Sequence, residues 1–166
     1  TRIIEQIPTT EKLTEEQKAI FYSDWLYSAI RLFCSIEDGK TLEEIAERFS
    51  LTRDRANDIV QFLVSTNLCT FSDGRFGMGV QRTVLDRSSP FLAQHHSNWR
   101  LQAIQKVRQI TDEELIFTSP VSLSTSDFQV IRKQIMELIR TASERVKDSP
   151  AENIACLNID WFWISN

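Results

Sequence analysis

Apolar residues recur along this chain in two rhythms, one helical and one alternating, and the change of rhythm divides it. In residues 14–35 the apolar set Ile20, Phe21, Tyr22, Trp25, Leu26, Ile30 and Phe33 runs almost all the way round a helical wheel. That predicts one long helix buried on most sides. Thr14 is placed to cap its start, with Gln17 returning the bond of a capping box. Past Asp38-Gly39, Thr41 and Glu44 form a second such box, and Leu42, Ile45, Ala46 and Phe49 mark one face of a short amphipathic helix. Thr52 caps a third helix with Ala56, Ile59, Val60, Leu63 and Val64 inward; Thr66-Asn67 closes it, asparagine tolerating a left-handed cap. Residues 68–72 and 75–78 then flank Asp73-Gly74, the dipeptide that most favours a two-residue hairpin.

After a polar connector at 81–90 the pattern predicts a fourth long helix over 91–110, with Leu92, His96, Trp99, Ala103, Val107 and Ile110 to one side. Leu115, Phe117, Val121 and Leu123 alternate as in a strand, and Ser124 with Asp127 opens a fifth helix striped by Phe128, Ile131, Ile135, Leu138, Ala142 and Val146. Residues 154–164 alternate again through Leu157, Ile159, Trp161 and Trp163, which predicts a second strand. A tight joint at Ser124 and a reversal over 147–153 make the two strands parallel with a right-handed crossover. Such a pair needs further strands, from the wing region, from sequence outside this chain or from a second copy, and a dimer is expected. The architecture expected is mainly α with small β: a winged helix over 14–80, then a β-α-β type domain over 90–166 that dimerises or senses a ligand.

Composition narrows the class. The chain has 166 residues, 42% hydrophobic and 25% charged, with only 4 Gly and 4 Pro. This suits a folded, largely helical protein rather than a many-stranded barrel, and no apolar run is long enough for a membrane span. Cys34, Cys69 and Cys156 are odd in number and lack metal-ligand spacing, which favours a reducing, cytoplasmic setting. Residues 1–16 lack the apolar stretch of a signal peptide, and a start at Thr1 reads as a fragment of a longer protein. Residues 1–90 hold 11 Lys+Arg against 14 Asp+Glu, and residues 91–166 hold 8 against 9. Neither half is a basic body, so any contact with DNA must be local.

Residues 41–79 resemble the winged helix-turn-helix of bacterial transcriptional regulators, in which the capped third helix enters the major groove and the hairpin lies along phosphates. The resemblance implies contacts with double-stranded DNA. Off the apolar stripe of that helix stand Thr52, Arg53, Arg55, Asn57 and Gln61, types that suit base edges, with Lys40, Arg48 and Arg75 as phosphate holders. Asp54 and Asp58 share the same face and oppose phosphate. The alternative is a non-catalytic protein-interaction module whose winged helix binds a protein partner. A broader resemblance rests on Phe21-Tyr22-Ser23, Trp25 and Ser28-Ala29-Ile30-Arg31 near the start, with Leu157-Asn158-Ile159 and Phe162 near the end. These look like an uncharacterised family of bacterial regulator-like proteins, in which a domain of unknown function follows a phage-repressor-like helix-turn-helix. Trp163 stands where proline is expected for that family.

No catalytic constellation can be assembled, so an enzyme, a cofactor and a metal are not expected. His95 and His96 are adjacent and point about 100° apart on a helix, which disfavours a shared metal; His96 is expected on the apolar side. Cys34 and Cys69 read as inert core thiols and Cys156 as the exposed one. The tryptophans and ten phenylalanines are read chiefly as core. A cavity for a small apolar effector is the minority alternative, and Trp161 and Trp163 are the candidate anchors of a dimer interface.

Overall fold

The computed structural model describes residues 12–166 apart from Arg82, Val84 and Asp86; the leader reading at residues 1–11 and part of the connector at 81–90 lie outside the described residues. The chain divides into two compact units, the first reaching to Leu101 and including Ala151–Cys156, the second made of Gln102–Pro150 and Leu157–Asn166. The division falls inside a helix rather than in the connector.

In the first unit, α1 (Glu15–Phe21) and α2 (Trp25–Phe33) replace the single helix expected over 14–35. The break has a local cause. Asp24 is extended, with φ −150°, and its carboxylate accepts from the Leu26 N–H, so it caps a new helix instead of continuing the old one. The Thr14–Gln17 and Thr41–Glu44 capping boxes both form, opening α1 and α3 (Leu42–Arg48). Thr52 caps α4 (Arg53–Ser65), which ends as Asn67 turns left-handed at φ 62°. Asp73 and Gly74 take positive φ and join β1 (Cys69–Ser72) to β2 (Arg75–Met78) in the antiparallel register Ser72↔Arg75 through Cys69↔Met78. Lys40 pairs through its backbone with Phe76, which ties the loop after α2 to the hairpin.

These elements close on one core, in which Phe21, Ile30, Ile45, Ile59, Leu63 and Leu68 are almost fully enclosed. The stripes predicted for α3 and α4 are the ones buried. α5 (Phe91–Lys106) begins in this unit and passes into a 3-10 turn at Val107–Gln109. Of its expected inward side Leu92 and Trp99 are half-buried, but Asn98 is buried and His95 packs edge-on to Tyr22, whereas His96 is exposed. The Asn98 amide donates to the Tyr22 carbonyl at 2.8 Å, so a polar residue, invisible to an apolar count, sets the face.

In the second unit Ser124 caps α6 (Thr125–Asp148) as expected. The β-α-β arrangement does not form. Residues 115–123 and 154–164 are neither helix nor strand, and among the described residues the only sheet is β1–β2. Alternation states which faces a segment offers; it supplies no neighbouring backbone, and two strands separated by a long helix need one. Phe128 is the only buried residue among those described here, stacked at 4.7 Å with Trp161 and 4.0 Å with Trp163. A phenyl face accommodates one stacked ring, which puts Phe128 between the two indoles. Among the described residues no helix is long and apolar enough to cross a membrane.

Candidate nucleic-acid interface

The spacing of α4 separates its faces. With Ala56, Ile59, Val60 and Leu63 buried, the helix leaves Arg53, Asn57 and Gln61 exposed in one i, i+4 row. Gln61 donates to the Asn57 side-chain oxygen at 3.3 Å, which aligns the two amides along the row. Asp54 and Asp58 are also exposed, forming an acidic row one residue further round. Thr52 spends its hydroxyl oxygen on the Arg55 N–H at 3.1 Å, a capping role.

Each candidate cation is held by neighbours. Arg53, 71% exposed at its side chain, pairs with Glu43 of α3. Arg55 lies 3.5 Å from the Asp24 carboxylate with its guanidinium over the Tyr27 ring, and is more covered than Arg53. Lys40 sits over the Phe33 ring and 3.8 Å from Glu44. Arg75 donates to the Gly39 carbonyl at 3.0 Å and to Glu44 at 3.3 Å. Arg48 donates to the Asn153 side-chain oxygen at 2.8 Å and also lies against Phe33. Glu44 is the shared acceptor: the Thr41 N–H, then the Thr41 hydroxyl, Lys40 and Arg75, hold its carboxyl below the usual range. The structure therefore brings Lys40, Arg75 and Glu44 together near the turn end of the hairpin and keeps Arg53, Asn57 and Gln61 on α4. Trp161 and Trp163 belong to the second unit, where the Trp161 indole N–H donates to the Phe128 carbonyl at 3.2 Å.

One residue that positions the hairpin escaped the sequence reading. Arg31 of α2 donates to the carbonyls of Leu68 at 2.9 Å and Gly79 at 3.3 Å, and also to that of Gln81. Its guanidinium thus serves carbonyls at the open end of the hairpin, opposite the turn, and burial lowers its pKa from the ordinary value. An arginine amid the apolar run of residues 25–34 was the available signal.

The remaining candidates are structural. Trp25 packs edge-on to Phe49 and Trp99. Cys34 and Cys69 are buried and Cys156 exposed, as expected; a hydrogen bond to Cys69, together with burial, pushes the Cys34 thiol up and keeps it protonated. Among the described residues no group of three or more His, Cys, Asp or Glu could hold a metal ion.

Comparison with curated proteins and with solved structures returns no match. Residues 7–164 match a family described as a domain of unknown function, DUF4423. The match agrees with the expected uncharacterised family and says nothing of a helix-turn-helix. On that coverage, nearly the whole sequence, the chain belongs to the DUF4423 family.

Proposed function

We propose that this chain is part of a DNA-binding transcriptional regulator, in which the first unit is a winged helix and the second dimerises or senses a ligand, with no catalysis. The observation that carries the reading is the open row Arg53, Asn57, Gln61 on a capped helix followed directly by a two-stranded hairpin. Arginine forks onto guanine, and asparagine or glutamine onto adenine, so such a row suits base edges. The backbone bridge from Lys40 to Phe76 supports the wing assignment, since it holds the hairpin, which packs beside α2 and α4.

A low-salt titration with random-sequence duplex tests this. Arg53→Ala weakens binding about tenfold, and Arg55→Ala less, because Asp24 already holds that guanidinium. Glu43→Gln, which frees Arg53, tightens binding. Absence of binding to any duplex overturns the proposal. The second reading, a module whose winged helix docks on a protein, is favoured by the carboxylates neutralising the cations and by Phe71, exposed on β1. Under that reading Glu43→Gln leaves duplex binding absent.

A further inference from the structure

Cys34 and Cys69 fill the core of the first unit in contact with each other. Cys34 is the C-cap of α2, and Cys69, thirty-five positions later, opens β1. Arg31, one helical turn before Cys34, donates through Nε to the Leu68 carbonyl at 2.9 Å, which holds the residue preceding Cys69 against that end of α2. Both thiols belong to the same buried cluster, and the Cys34 S–H donates a hydrogen bond to the Cys69 sulfur. Two sulfurs that already touch need only a short approach to form a bond of about 2.05 Å. The ring so closed takes in α3 and α4 whole.

The pair is unequal. Cys34, which gives the hydrogen bond, is held as a thiol. That same bond, and with it the Arg31 charge, hold Cys69 below its ordinary range against the opposing effect of burial. Cys156 is exposed as a residue, yet partial burial of its thiol pushes it up. Towards a peroxide the thiolate is the nucleophile, and a thiol beside it resolves the product. Cys69 and Cys34 present those two roles. With Cys34 1% and Cys69 2% exposed, bulky disulfides are shut out. Hydrogen peroxide, scarcely larger than water, needs only a local opening of the four-residue β1.

We propose that Cys34 and Cys69 are a redox-active pair, converted by hydrogen peroxide into an intramolecular disulfide that ties α2 to β1. The Cys69 thiolate attacks one peroxide oxygen; the O–O bond breaks, hydroxide leaves and takes up the proton that Cys69 had released, and Cys69 becomes a sulfenic acid. The Cys34 sulfur then attacks the Cys69 sulfur. The S–S bond forms, the S–O bond breaks, and the departing hydroxide leaves with the Cys34 proton as water. Two thiols are oxidised, one peroxide is reduced and two waters are released. None of this depends on whether α4 reads DNA.

The test treats the folded 166-residue chain with less than one equivalent of hydrogen peroxide, removes what remains with catalase, then alkylates in denaturant and maps peptides without reduction. The expected product has lost two hydrogens, links the Cys34 and Cys69 peptides, keeps Cys156 alkylatable and reverts with dithiothreitol. Inert core thiols react last, so oxidation of the exposed Cys156 ahead of the pair overturns the proposal, as does a disulfide that includes Cys156. Amides of α3 and α4 keep their hydrogen-exchange protection in the oxidised chain, because the bond joins groups already in contact. Loss of that protection marks a bond made by unfolding and overturns the proposal as well. In Cys34→Ser, Cys69 stops at the sulfenic acid and is trapped by dimedone; in Cys69→Ser, Cys34 stays reduced. The reverse pattern overturns the order of attack.

Discussion

Arg31 and His95 show how single side chains are assigned by what surrounds them. Arg31 neutralises three carbonyls that the end of α4 and the hairpin leave pointing inward. Arg31→Ala removes that shared donor, although the Leu68 carbonyl keeps the Gly79 N–H, and we expect a loss of roughly 1–3 kcal/mol in urea unfolding. His95 is held below its ordinary pKa, first by burial against Tyr22 and then by His96 and Arg100. A histidine depressed in the folded state contributes stability above its unfolded value, about 6.5, and loses it as pH falls through the lower folded value. Unfolding free energy should therefore decline as pH drops below about 6.5, and His95→Phe should flatten that decline in parallel pH-series melts. His96 was the residue expected on the apolar side; it is exposed, while Asn98 is buried and bonds the Tyr22 carbonyl.

Among the elements, turns, caps and the two hairpin strands were legible, whereas the strands expected at 115–123 and 154–164 are absent among the described residues. Two glycines with similar positive φ separate conformational need from space. A Cβ at Gly39 (φ 72°) would meet the Phe76 carbonyl oxygen at 2.5 Å, whereas one at Gly74 (φ 77°) would meet nothing within 4 Å. Gly74→Ala should cost about 1 kcal/mol, the left-handed penalty alone. Gly39→Ala should cost clearly more in the same thermal melts, since backbone must shift at the Lys40–Phe76 bridge. Asp24 was also readable, as an acceptor just ahead of an apolar run, yet the wheel of apolar residues on either side suggested continuity. Asp24→Ala removes a cap worth about 1 kcal/mol and frees Arg55, so stability falls while any duplex binding rises.

For the whole molecule the division is between what neighbours in sequence dictate and what distant residues supply. The boxes at Thr14 and Thr41, the Thr52 cap, the Asp73-Gly74 turn and the stripe of α4 follow from spacings of two to four residues, so the sequence alone determined them. The pairing of the candidate DNA contacts did not: Arg55 meets Asp24, Arg48 meets Asn153 and Arg75 meets Glu44 across long stretches of chain, and only folding brings them together. The second unit makes the same point in reverse. Alternation at Leu115, Phe117, Leu157 and Trp163 was visible, but a strand needs a neighbouring backbone in register, and among the described residues these segments belong to no sheet. Local hydrogen bonds and side-chain periodicity are written in the order of residues; charge neutralisation and sheet formation depend on which surfaces meet, and that is decided in three dimensions.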